Sequence, residues 1–400
     1  MKTSDVLIVG GGPSGLRVAA RLAGAGLDVR VLERKGDIGS KVVCTGIIGK
    51  EVFDSFGMNR DSALCQLQAV RLVSPYGTSV VYRHPQPFAY VVDRERFDRN
   101  LASEARARGA DIVLDTKVED ILVGRDGVLV RSRASSGGRT LFSARMAVLA
   151  TGIDFGLQAK LGLGRPKEYL NGAQVEIETE DAAAAAIFVG RAVAPGAFAW
   201  MVPSGPCRVR VGVLTRREPR EYLARLARAV FPDRYAADAP AGIRVKAVAQ
   251  GLLSKTYGER ILAVGEAAGH VKTTTGGGVA YGLMGADIAS EVIRECFTKG
   301  AFGADDLAPY EKAWKSAMQR EIVLGRMARR LCARLTDAQM ERIFYLAQTD
   351  GIIPIIREKG DFDWHGDLIL ALVKRLSFMK VFRGGPRGLR PDGLRPDGRS

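Results

Sequence analysis

The sequence predicts an α/β fold whose N-terminal unit is Rossmann-like, and three observations predict it. Residues 6–15 read VLIVGGGPSG, an apolar run of strand length followed by a glycine turn. A helix-like stretch, LRVAARLAGAG, and a second apolar strand, VRVLE, come next, and that strand ends on Glu33. Far downstream, residues 260–294 repeat the order strand, glycine turn and long helix. Strands that alternate with helices signal a parallel sheet with crossover connections.

In the first unit each glycine has its own task. Gly10 lets the chain turn tightly after the strand. Gly12 lets the backbone approach a pyrophosphate, and Gly15 lets helix and strand pack closely. Amides at the helix start face the phosphates, where the helix dipole favours negative charge. Glu33 is positioned to accept hydrogen bonds from a ribose. The adenosine end of FAD or NAD is therefore expected here.

Four hundred residues can bury a large core, and that length suggests roughly two to three domains. Apolar content of 46% and charged content of 26% are ordinary for a globular protein. The chain enters its first strand directly after MKTSD, so a secretory signal is not expected. No apolar run reaches the ~18 residues of a spanning helix. Cys44, Cys65, Cys207, Cys296 and Cys332 are scattered, with no CxxC pair, so no metal site is expected and a reducing cytoplasm fits. The four other than Cys44 read as structural. The net charge of +15 gathers late, in residues 319–335 and 373–390. It suits a solvated basic face, or attraction to anionic lipid headgroups or a diphosphate. No nucleic-acid module accompanies it, so nucleic acid is not an expected partner.

After Glu33 comes a glycine-containing loop, 36–53, and residues 66–84 read as a hairpin around Pro75-Tyr76-Gly77. A strand AYVV, a helix beginning near Arg94 and a strand ending near Val113 follow. A meander then runs to the buried strand MAVLA and the turn Thr151-Gly152. Residues 170–217 alternate as strands, and a helix, EPREYLARLARAVF, separates them from the strand IRVKAVAQ. From about 305 to 381 the chain is mostly helical. The tail repeats LRPDG at 389–393 and 394–398, a composition that cannot form a core.

Taken in order, GxGxxG, VDRERFD, a strand ending ATG, and GEAAGHVKTTTGGG resemble the flavoprotein hydroxylase superfamily. The resemblance implies a Rossmann-like split FAD-binding domain, an inserted β-sheet substrate domain and a C-terminal helical region. The boundaries expected are 1–65, 90–155 and 250–300 for the FAD-binding domain, and 66–89 with 156–249 for the substrate domain. The helical region is 301–383, and 384–400 is a disordered tail. Within the superfamily the chain looks most like the geranylgeranyl reductases. Lys41–Gly46 (KVVCTG) resembles their cysteine loop, and Pro195–Pro203 (PGAFAWMVP) their PxxYxWxFP substrate motif. Phe198 replaces the motif's tyrosine and Val202 its second phenylalanine, while Glu266 replaces the aspartate of GDAA.

The resemblance implies FAD contacts from Ser14, Glu33, Cys44, Thr45, Arg94, Val118, Glu266, Gly278 and Val279. Arg94 is expected to neutralise pyrophosphate, Val118 to offer backbone to adenine, and Glu266 to meet the ribityl chain. Gly276, Gly277 and Gly278 open a helix whose amides can stabilise negative charge on reduced flavin. Arg34, Gly46 and Gly152, beside these motifs, complete the candidate cofactor set. Phe198, Trp200 and Pro203 are the candidate substrate contacts. The implied reaction is saturation of isolated double bonds in a prenyl lipid by hydride from flavin N5 plus a proton, with Cys44 the candidate catalytic residue. No second dinucleotide fingerprint exists, so NAD(P)H is expected only as a transient visitor, or another reductant supplies the electrons. The expected place is the cytoplasm, peripheral on the inner face of the membrane. The alternatives are an aromatic monooxygenase of the same fold and a non-catalytic flavin- or lipid-binding protein.

Overall fold

Five parallel strands carry the N-terminal architecture. Their order is Asp111–Val113, Val29–Leu32, Thr3–Val9, Arg139–Leu149 and Ile261–Ala263. The computed structural model describes residues 3–180, 184–236, 238–349 and 352–374. Alternation along the strands splits the core into two faces. Val6, Ile8, Val31, Met146, Val148 and Leu262 pack beneath the helices Pro13–Ala23 and Val279–Lys299. Leu7, Val9, Leu32, Leu149 and Ala263 pack on the other side. The antiparallel strands Lys117–Val123 and Val128–Arg133 continue from Arg139–Leu149 as the expected meander.

The two helices approach each other closely because glycine lets them. A Cβ on Gly282 would stand 2.4 Å from Ser14 Oγ, and one on Gly265 equally near. The Arg17 guanidinium donates to both Asp287 carboxylate oxygens, at 2.7 and 2.9 Å, and locks the pair.

A seven-stranded sheet faces this unit. Its order is Arg244–Ala249, Tyr169–Glu178, Arg208–Thr215, Phe198–Gly205, Ala185–Phe188, Ala69–Val73 and Ser79–Arg83. The expected hairpin is its last pair, turning where the Ser74 amide donates to Thr78 O at 2.8 Å. One face of the sheet, with Val209, Val211 and Val213, packs on Leu223, Leu226 and Ala227 of the helix Pro219–Val230. A small sheet of Ile47–Gly49, Ala89–Val92 and Ala63–Leu67 joins the two units. Helices between Ala304 and Thr349 and between Ile352 and Lys374 wrap back against both, while the expected tail, 384–400, lies outside the described residues. Among the described residues no helix is long and apolar enough to cross a membrane, and no cluster of His, Cys, Asp or Glu could hold a metal.

Candidate active site

Parallel strands end on the same side, and the strand order reverses about Thr3–Val9, which makes a crevice at their carboxyl ends. Gly10 (φ +112) and Gly15 are closely fitted there. A Cβ on Gly10 would lie 2.4 Å from Ala150 O, and one on Gly15 2.2 Å from Gly10 O. Gly12 differs: no atom lies within 4 Å of the Cβ it lacks. It precedes the helix Pro13–Ala23 without a side-chain cap, and no acid occupies the first turn. The first-turn amides thus open onto free space at the positive end of a helix, which fits a diphosphate. Glu33 accepts the Gly11 amide at 2.7 Å and the Lys35 amide at 3.0 Å, which fixes its carboxylate beside the turn. The Thr116 amide donates to Glu33 O at 2.8 Å and draws in the strand that carries Val118, whose other edge is unpaired among the described residues. Arg34 stands exposed on the rim, 3.6 Å from the Asp154 carboxylate.

The other end of the cleft is built from the later motifs. Gly276, Gly277, Gly278 and Val279 are all half-buried. The helix Val279–Lys299 starts after Gly278 with neither a side-chain cap nor an acidic first turn. A Cβ on Gly276 (φ +77) would touch Leu214 and Val248 of the facing sheet at 3.4 Å, so the loop lies against that sheet. Gly152 (φ +62) turns the chain beside Glu266, whose Oε2 would lie 3.9 Å from a Cβ on that glycine. Glu266 itself is already partnered: Lys246 Nζ, from the facing sheet, donates to that same oxygen at 3.0 Å.

The cysteine loop closes the space between the walls. Gln174 Nε2 donates to Cys44 O at 3.1 Å, and Arg210 Nη1 donates to Thr45 O at 2.7 Å and Val92 O at 2.9 Å. Gly46 (φ +78) leaves room for that arginine, 2.6 Å from the Cβ it lacks. Burial pushes the Cys44 thiol up, but Arg94, the Gly46 amide (3.4 Å from Sγ) and Lys246 together hold it below the usual thiol range. Arg94 is held by the Asp98 carboxylate at 2.9 and 3.1 Å and lies beside the thiol, so its charge is committed there.

Across the seven-stranded sheet, Gln174, Gly212 and Trp200 are directly paired neighbours, and Phe198 pairs with Leu214. Alternation puts Phe198, Trp200, Gly212, Gln174 and Lys246 on the face turned toward the cysteine and glycine loops. The rings of Phe198 and Trp200 are 5.8 Å apart. Trp200 Nε1 is buried without a hydrogen-bond partner among the described residues, as is Gln174 Oε1. One expectation needs correction. Pro203 pairs with Val209 and sits on the opposite face, because it stands three positions beyond Trp200. Its carbonyl accepts the Cys65 thiol at 3.2 Å. Of the cysteines expected to be structural, Cys296 is buried and Cys65 half-buried, but Cys207 and Cys332 are exposed at the surface.

The sequence reading missed several residues here. Lys272, in the late glycine loop, is buried in an ion pair with Asp363 at 2.6 Å and lies 4.5 Å from the Phe362 ring. Asp363 O accepts the Tyr281 hydroxyl at 3.0 Å, so the segment 361–366 is pinned to the helix Val279–Lys299. Arg210, Gln174 and Lys246 had one available signal: each interrupts an apolar strand on the same parity. Asp363 had none.

The chain matches the model of the FAD binding domain family over residues 3–290. It belongs to that family. Two relatives are a digeranylgeranylglycerophospholipid reductase of Methanoculleus marisnigri and digeranylgeranylglycerophospholipid reductase 2 of Methanothermobacter thermautotrophicus. The first is 29% identical over 78% of this chain and 82% of its own length. The second is 28% identical over 96% and 98%. A geranylgeranyl bacteriochlorophyll reductase-like protein of Thermoplasma acidophilum superposes with a TM-score of 0.84, at 21% identity, covering 96% of this chain and 98% of its own. The fold is that of the Thermoplasma protein, and this flavoprotein is an FAD-dependent oxidoreductase.

Proposed function

We propose that this flavoprotein saturates isolated carbon–carbon double bonds of a polyprenyl lipid of geranylgeranyl type. The observation that carries the reading is the cleft itself, with helix-start amides and the Cys44 loop on one side and Phe198 and Trp200 on the other. Two relatives named as reductases of such a lipid support the substrate class. In this reading residues 1–65, 90–155 and 250–300 hold FAD, 66–89 and 156–249 hold the chain of the substrate, and 301–383 cover the cleft.

Reduced FAD, when bound, supplies a hydride to one alkene carbon, and a proton at the other carbon completes the saturated bond. The protein's residues do the rest. The uncapped start of Val279–Lys299 stabilises negative charge beside the glycine loop. Phe198 and Trp200 turn ring faces toward the double bond, where partial positive charge grows on carbon. Cys44 holds the proton: Arg94 and Lys246 stabilise the thiolate left behind, and solvent returns the proton afterwards. A transient NAD(P)H or another donor reloads the cofactor, and the basic surface holds the protein peripherally at a membrane.

The test is to reduce the FAD-loaded protein with dithionite and add a geranylgeranyl glycerophospholipid. Mass spectrometry should find one H2 added per double bond. Trp200→Ala should slow the conversion ~10-fold. No mass gain, together with NADPH-driven oxygen uptake on phenols, would instead assign a monooxygenase.

A further inference from the structure

A cavity of about 390 Å³ opens where the Pro195–Trp200 segment meets the end of the strand Arg208–Thr215. Arg191, Pro195, Gly196, Arg216, Arg217 and Ala333 line it, so half of its wall is arginine and none of it is carboxylate. Arg191 is fixed. Its Nε donates to Leu335 O at 2.7 Å and its Nη2 to Arg334 O at 2.6 Å, while its backbone amide donates to the Asp337 carboxylate at 2.6 Å. Arg216 lies flat across Gly196 (φ +90), its Nε 2.9 Å from where a Cβ would be. Neither the Arg216 nor the Arg217 guanidinium makes an ion pair or hydrogen bond among the described residues. Two exposed guanidinium groups without counter-ions, beside a third held in place, are a ready receptor for a multivalent oxyanion.

The position is as informative as the charge. Leu214 touches the flavin-end loop at Gly276 and pairs with Phe198. Arg216 is two residues farther along, about 7 Å at the rise of a strand. An anion held there would deliver the first carbons of its attached chain onto Phe198 and Trp200.

We infer that Arg216 and Arg217, backed by Arg191, form a phosphate subsite that holds the headgroup phosphate or diphosphate of the prenyl substrate. The attached chain rests on the polyprenyl reading above, and the anion site does not. FAD-loaded full-length protein is titrated by calorimetry with pyrophosphate and with glycerol 1-phosphate. Saturable binding is expected, weakened about 10- to 100-fold in Arg216→Ala/Arg217→Ala. The double lysine variant should keep most of it, and retained flavin absorbance checks the fold of each variant. Tighter pyrophosphate binding identifies a free prenyl diphosphate, and tighter glycerol phosphate binding a phospholipid. In turnover, the preference for a phosphorylated prenyl compound over its alcohol should fall by the same factor in the alanine variant. No saturable binding by the unaltered protein, or equal binding by the alanine variant, overturns the subsite. Binding that depends on these arginines, without reduction of any prenyl compound, keeps the subsite and refutes the polyprenyl reading.

Discussion

The two walls of the cleft are made of different material. The nucleotide wall is backbone: helix-start amides, glycines without room for a Cβ, and a carboxylate fixed by main-chain donors. The facing wall is side chain: Trp200, Phe198, Gln174, Arg210 and Lys246 rise from a flat sheet to meet the loops. A backbone wall tolerates almost no change in residue type at its glycines. A side-chain wall can be redrawn one position at a time, so the backbone wall is built for constancy and the facing wall for change.

The seam between the walls should give the largest effect. Asp363→Asn leaves the Lys272 ammonium buried without its counter-charge, so urea unfolding should lose about 3–5 kcal/mol. Replacing both partners with apolar residues should recover most of that loss. If the single substitution costs nothing, the late segment does not brace the cleft. Next comes the contrast between glycines of one turn. Gly15→Ala should destabilise the protein by ~1–3 kcal/mol, because the new Cβ meets carbonyl oxygen. Gly12→Ala should leave the apoprotein's melting curve alone and weaken only flavin retention, read as the 450 nm absorbance of the purified protein. Equal behaviour of the two would erase the distinction between packing and ligand glycines.

Acid should weaken the seam in a defined window. Burial, then Lys272, pushes His365 down to about 4, and burial alone pushes His270 to about 3. The unfolded chain takes up these protons near 6.5 and the folded chain does not, so stability is full above that pH and falls as pH drops toward 4. Each histidine contributes a slope of about 1.4 kcal/mol per pH unit. His365→Asn should remove one such slope from urea midpoints measured between pH 6.5 and 4. The smallest effect belongs to Lys246→Met. Loss of its charge should move the alkylation profile of Cys44 to higher pH, and a profile that stays still would separate Lys246 from the thiol.

Legibility from sequence follows the same division. Gly10, Gly12, Gly15 and Glu33 could be singled out because a tight turn, an open amide row and a strand-end acid leave fixed spacings. The order of strands and helices was readable because period-2 and glycine punctuation are local. Pro203 misled because its motif spacing is odd, which reverses the face on a strand. Lys246 meeting Glu266, and Asp363 meeting Lys272, are contacts between segments 20 and 91 residues apart, made by tertiary packing that leaves no local pattern.

Gly212 lies directly under the indole of Trp200, and a Cβ there would come within 2.2 Å of the ring. The height of the tryptophan above its sheet is therefore set by a single hydrogen atom. A methyl at that address would lift the ring and narrow the gap between the two walls. The width of that gap can thus be tuned from beneath, without disturbing the backbone wall.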